Sequence, residues 1–243
     1  MRSVQVLGVS GSPVKNSNTD RIVKAILEAS GLEYEFVKLS TRKIGPCRAC
    51  KQCTDDNVCK TRDDFPALAE KVKEAKALVI AGYTPYGMLD GFTKAFLERL
   101  WSTRHVNNLN RGKLAATVVT GITPLSVNLT SLQMARELYI ERMEVLGQIK
   151  VRGNVPCLTC GHGNECQMSG VPALFGKGAT ASVDKCIYVE DQEKVWNQAL
   201  RLGQLVGERV RGNAPARRKR PPLPLSLLLL ADQLRVRRWT ASA

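Results

Sequence analysis

The sequence predicts an α/β fold, a doubly wound parallel sheet of five strands. Three observations predict it. Short apolar runs rich in β-branched residues alternate with amphipathic segments, five of each can be counted, and a hydroxyl-rich loop joins the first apolar run to the first amphipathic one. The strands are expected at residues 4–9, 33–39, 77–83, 114–121 and 148–155, and the helices at 19–30, 63–75, 91–102, 129–146 and 191–207. In the first helix Ile22, Val23, Ile26 and Leu27 share one face, which should pack on the sheet, and Asn18 or Thr19 can cap its start. From Arg211 the pattern gives way to Pro-rich and basic residues. The expected organisation is therefore one domain over 1–210, with cysteine-rich loops at 47–59 and 156–187, and a tail over 211–243 outside the fold.

An apolar content of 44% over 243 residues suffices for a core and excludes a wholly disordered chain. Residues 1–9 carry no cleavage signature of a secretory leader. The longest apolar run, 223–231, is interrupted by Pro224 and Ser226 and falls short of the ~20 residues of a membrane helix. A cytoplasmic protein without a membrane span is expected. The net charge is +14, but residues 211–243 hold eight Lys or Arg against one Asp, so +7 sits in the tail and +7 in the other 210 residues. Arg217, Arg218, Lys219 and Arg220 lack interleaved aromatics, and the run reads as a solvated charge cluster rather than a nucleic-acid surface.

Eight cysteines in a reducing compartment point to metal ligation rather than to disulfides. Cys47-x2-Cys50-x2-Cys53-x5-Cys59 places four thiolates within 13 residues, a compact soft-ligand set that suits an iron–sulfur cube. Zinc sites usually pair two separated C-x2-C knuckles, whereas here the second knuckle shares Cys50. The five-residue gap, and Lys60 in place of a trailing proline, assign all four to one [4Fe–4S] centre. Cys157-x2-Cys160-x5-Cys166, with His162 inside and Cys186 beyond, is the second cysteine loop. A second metal, zinc or another cluster, is one reading; free thiols or a redox C-x2-C pair are the others. His105 has no partner in sequence and reads as a surface residue, and no catalytic acid or base is assigned.

The loop from Val9 to Thr19 is crowded with hydroxyl donors and ends at a helix N-terminus, where free N–H groups favour an anion such as a phosphate monoester. It is neither G-x-G-x-x-G nor a P-loop. Gly11-Ser12-Pro13 followed by Asn16-Ser17-Asn18-Thr19 resembles the phosphate loop of the NADPH-dependent FMN reductase group of flavodoxin-like proteins. Thr84-Pro85-Tyr86-Gly87-Met88, with Gly91, Lys94-Ala95-Phe96 and Arg99, resembles that group's second flavin loop. With the cysteine loop between them, the chain is similar to the iron–sulfur flavoprotein subfamily, whose compact motif is C-x2-C-x2-C-x4–7-C, over roughly residues 3–155.

The resemblance implies a flavodoxin-like sheet of order 2-1-3-4-5 and bound FMN. Ser10, Ser12, Lys15, Asn18 and Thr19 would surround the phosphate. Pro85, Tyr86, Gly87 and Met88 would border the isoalloxazine, and Thr120, Gly121 and Ile122 would close its other side. Val14 stands where the family often has a basic residue, and the loop from Pro85 to Lys94 is shorter than usual. Ligands of such sheets bind beyond the carboxyl ends of the strands, so the first cysteine loop would sit beside the flavin or reach a neighbouring subunit's flavin. The implied function is FMN-dependent electron transfer from a ferredoxin-like one-electron donor, or NAD(P)H, to a small acceptor, in a homo-oligomer, dimer or tetramer. Two other readings stand beside it: an NAD(P)H-dependent flavin or quinone reductase with structural zinc, and a non-catalytic metal or redox sensor.

Overall fold

The computed structural model describes residues 4–212. Most of the tail expected over 211–243 therefore lies outside the described residues. Strand β1 (Val6–Ser10) is buried along its whole length, as a continuous apolar run at the centre of a parallel sheet must be. Helix α1 (Asn18–Ala29) follows. Its N-cap is Ser17, not Asn18 or Thr19: Ser17 Oγ accepts the Asp20 N–H, and Asp20 returns the bond to the Ser17 N–H.

Strand β2 (Tyr34–Lys38) leads into the first cysteine loop, which ends at α2 (Phe65–Glu74). Next come β3 (Ala77–Tyr83), α3 (Gly91–Arg99), β4 (Leu114–Gly121) and α4 (Pro124–Ile140). Strand β5 (Glu144–Arg152) precedes the second cysteine loop, which holds the short α5 (Val171–Phe175), and α6 (Glu193–Arg211) closes the described chain.

The sheet is parallel throughout, in the order β2-β1-β3-β4-β5 expected of a flavodoxin-like protein. Its two faces bury two cores. One packs Leu7, Ile80 and Val119 against Phe65, Phe96 and Met134 of α2, α3 and α4. The other packs Val79 and Val118 against Ile22 and Ile26 of α1 and Leu202 and Val206 of α6. Helices α1 and α6 meet closely: a Cβ on Gly203 would lie 2.4 Å from Ile26 O, and one on Gly207 2.0 Å from Ser30 O.

The fourth helix departs from its expected bounds. It starts at Pro124, behind the Thr123 cap, and ends before a turn in which Arg142 takes φ +63°. Leu146, expected at the helix end, is buried in β5. Its apolar run fits either period, so periodicity alone could not choose. Among the described residues no helix is long and apolar enough to cross a membrane.

Candidate flavin and thiol sites

Loops leaving β1, β3 and β4 meet at one edge of the sheet. Ser10 pairs with Ala81, and Tyr83 with Thr120, so the strands end side by side. The loops are tied to one another: Gly11 N–H donates to Ala81 O at 2.9 Å, and Thr84 N–H to Thr120 O at 3.0 Å. Both meeting points need glycine. A Cβ on Gly11 would lie 2.0 Å from Thr93 Oγ1, and one on Gly121 2.2 Å from Thr84 Oγ1.

The residues expected around a phosphate are brought to this edge but are not equally free. Ser10 Oγ donates to Asp20 Oδ1 at 2.7 Å and accepts the Ser12 N–H at 3.4 Å; both serines are buried. Lys15 lies exposed in the loop. Thr19 Oγ1 donates to Thr120 Oγ1 at 2.9 Å, joining α1 to β4. Asn18 is engaged elsewhere, donating to Ile187 O at 2.8 Å and accepting the Val189 N–H at 3.2 Å. Asp20, a carboxylate at the helix N-terminus, is held by Lys38 Nζ at 2.6 Å.

Around the expected ring position, Pro85, Gly87 and Ile122 are half-buried and Thr120 and Gly121 are buried. Tyr86 is fully exposed with φ +51°, a left-handed conformation rare for a bulky residue, and Met88 is 67% exposed. An exposed tyrosine and methionine beside a hydroxyl-lined helix start fit a ligand with a planar apolar ring and an anionic end. Asp90 anchors the loop from beneath. It is fully buried, accepts N–H bonds from Tyr83 and Thr93, and burial raises its carboxyl above the ordinary range.

The first cysteine loop packs against the far end of α3. Cys47, Cys50, Cys53 and Cys59 line one pocket with Arg99 and Trp101. Cys53 is buried; burial pushes its thiol up, and the neighbouring Cys59, Cys50 and Cys47 add to the effect. The loop folds back through left-handed residues Ala49, Lys51 and Asn57. It is anchored at two points: Cys47 N–H donates to Glu98 Oε2 at 3.3 Å, and Asn57 donates to Asn107 O at 2.9 Å while accepting the His105 N–H at 2.7 Å. His105, expected on the surface, is half-buried, with its ring edge-on to Trp101 at 5.0 Å. The nine residues of α3 separate this pocket from Asp90, about 13 Å at 1.5 Å per residue. Four thiols facing one cavity beside a guanidinium fit a polynuclear, negatively charged thiolate centre.

Arg99 and Asn57 are the residues that the sequence reading missed as parts of this site. Arg99 had a signal: it falls one turn after Ala95 and Phe96, on the buried face of its helix.

The second cysteine loop forms a separate lobe around Val155, Leu158 and Val171, on which Cys157 and Cys186 pack. Three of its sulfurs accept backbone N–H groups: Cys157 from Gly170 at 3.4 Å, Cys160 from His162 at 3.4 Å and Cys166 from Met168 at 3.3 Å. Gly161, φ +84°, makes the turn after Cys160. Asn154 and Asn18 clamp Ile187, the residue after Cys186. Among the described residues, no three His, Cys, Asp or Glu side chains in either loop are preassembled around one metal ion.

Sheet order and crossing loops together define a flavodoxin-like fold, with a thiol-lined pocket at the far end of α3. Residues 4–152 match the family model described as NADPH-dependent FMN reductase, and the chain belongs to that family. It is 31% identical over 121 residues to an iron–sulfur flavoprotein of Methanosarcina thermophila, covering 49% of this chain and 63% of that one. It is 28% identical over 148 residues to an iron–sulfur flavoprotein of Methanocaldococcus jannaschii, covering 59% of this chain and 76% of that one. The match thus spans less than two thirds of the Methanosarcina protein. The Trp repressor binding protein of Bacillus subtilis shares the fold, with TM-score 0.53 at 15% identity over 82% of this chain and 99% of that one.

Proposed function

We propose that the chain is an iron–sulfur flavoprotein that carries electrons between a ferredoxin-like one-electron donor and a small-molecule acceptor, with FMN and a [4Fe–4S] cluster as its cofactors. The observation that carries this reading is the common pocket lined by Cys47, Cys50, Cys53 and Cys59, closed by a buried arginine. Two matched relatives bear the name iron–sulfur flavoprotein, and the family model supports FMN. When bound, the cluster exchanges single electrons and FMN exchanges one or two, which lets a one-electron partner serve a two-electron acceptor.

This chain's residues would hold the two groups separately. Ser12 and Lys15, with N–H groups at the start of α1, would take the phosphate, while Ser10, its hydroxyl already given to Asp20, would brace the loop beneath it. Pro85, Tyr86, Gly87 and Met88 would cover one side of the ring and Thr120, Gly121 and Ile122 the other. Asn18 and Thr19 would act by fixing the edge of the site, since their side chains already bind Ile187 and Thr120. Asp90 would hold the ring loop in place through its bonds to Tyr83 and Thr93. We place the second cysteine loop outside the electron path. Three of its four thiols face backbone amides on a lobe beyond β5, and a structural metal is the role its ligand types allow.

The test is anaerobic purification followed by an absorbance spectrum and determination of flavin, iron, sulfide and zinc per chain. A flavin band over a broad iron–sulfur shoulder, with four iron and four sulfide per chain, is expected. Flavin with stoichiometric zinc and no iron would turn the assignment to an NAD(P)H-dependent reductase, and a chain without flavin would overturn both.

A further inference from the structure

Arg99 is the largest side chain buried to within 1% exposure in the described chain, and a guanidinium in such a place is costly. All four of its Nη protons have acceptors. Nη1 donates to Asp63 Oδ2 at 2.6 Å and to Gly45 O at 3.0 Å; Nη2 donates to Asp63 Oδ1 at 3.0 Å and to Cys59 Sγ at 3.2 Å. The guanidinium also lies over the Phe65 ring, 4.6 Å from its centroid. Its Nε is buried without a partner. Structural need alone accounts poorly for this arrangement. Buried ion pairs can usually be replaced by apolar side chains without loss of stability, and Phe65, Phe96 and Leu100 already make the surroundings apolar. What an apolar residue could not do is donate a charged hydrogen bond to the sulfur of Cys59.

Hydrogen bonds and positive charge at ligand sulfurs favour the reduced, more negative form of a thiolate-ligated centre, and burial strengthens both effects. Asp63 acts against this, because its carboxylate chelates the same guanidinium and offsets its charge. A guanidinium does not lose its proton in proteins, so Arg99 is a fixed cation.

We propose that Arg99 and Asp63 form a pair that sets the reduction potential of the centre held by the first cysteine loop, Arg99 raising it through Cys59 and Asp63 moderating it. This rests on the assignment of an iron–sulfur cluster to that loop. Reduction adds one electron from the one-electron donor; no bond forms or breaks in the pair, and both side chains keep their charge.

The experiment is an anaerobic redox titration of the holoprotein, followed by the cluster signal, after iron and sulfide have been counted. Arg99→Met should make the cluster about tenfold harder to reduce, a shift of about 59 mV downward for one electron. Asp63→Asn should move the potential upward, since the carboxamide can still accept from Arg99 but no longer cancels its charge. Arg99→Lys, which keeps the charge but loses the fork, should fall between wild type and Arg99→Met. Opposite shifts in the first two variants are a signature that a purely structural role would not give. Potentials that move together or stay at the wild-type value overturn the proposal, as does loss of iron from all three variants, which would make the pair a structural clamp. A wild-type protein without iron would instead sink the cluster assignment itself.

Discussion

The two cysteine loops share one spacing and differ in what donates to their sulfurs and in how those sulfurs are gathered. Cys50-x2-Cys53-x5-Cys59 and Cys157-x2-Cys160-x5-Cys166 have identical intervals. In the first loop the thiols face a common pocket, and the side chain that donates to a sulfur is a buried guanidinium on α3. In the second, the donors are backbone amides of the loop itself, and Cys160 and Cys166 are exposed. Spacing fixes which sulfurs a short chain can bring together. The charge and burial supplied by the rest of the fold decide what those sulfurs are suited to hold.

The largest expected effect separates the two loops directly. Cys53→Ala should abolish the iron of the purified protein and leave FMN bound, because α3 stands between the thiol pocket and the strand ends. Cys160→Ala should leave the iron-to-flavin ratio unchanged. Metal analysis and flavin absorbance on both variants check this, and equal iron loss in the two would remove the distinction drawn between the loops.

The anchors come next, and each loop has its own asparagine. Asn57→Ala removes the bonds to Asn107 and His105 and places alanine at φ +57°, so it should cost about 2–4 kcal/mol in urea unfolding and speed iron loss to a chelator. Asn18→Ala removes the clamp on Ile187 and Val189, and about 1–2 kcal/mol is expected. Hydrogen exchange should then quicken at residues 186–190 while the first loop keeps its protection. Faster exchange in both loops would mean that they are coupled.

Much of this was legible in the sequence. Five strands, the sheet order and the first thiol quartet follow from apolar runs, a family resemblance and cysteine intervals. The bounds of α4 and β5 did not, because Leu146 suits either period and the turn depends on a left-handed Arg142. Asn18 illustrates another limit. In sequence it belongs to a helix start facing an anion, yet its partners stand at positions 187 and 189, brought there by a segment returning from β5 to the start of α1. Asn57 was invisible as a site residue for the same reason, and the helical spacing that marks Arg99 as buried does not reveal its partners: their contacts lie 48 to 50 and 36 to 54 positions away.

The smallest effect concerns two carboxylates, one beside each site, whose titrations pull stability in opposite directions. Asp63 lies beside the thiol pocket. Burial works against its charge, but the bonds from Arg99, Phe65 N–H and Gly45 N–H prevail and hold its carboxyl below its ordinary 3.8. The unfolded chain binds that proton more tightly, so the contribution of Asp63 is present above pH 3.8 and is lost as the pH falls through its lower folded value. Asp90, under the ring loop, is raised by burial. Its folded form binds the proton more tightly, and stability falls as the pH rises from 3.8 through the higher folded value. Asp63→Asn should therefore flatten the acid limb of a stability-against-pH curve measured by urea unfolding, and Asp90→Asn should steepen it. Two variants that change the limb in the same sense would show that the carboxylates do not differ as their surroundings require.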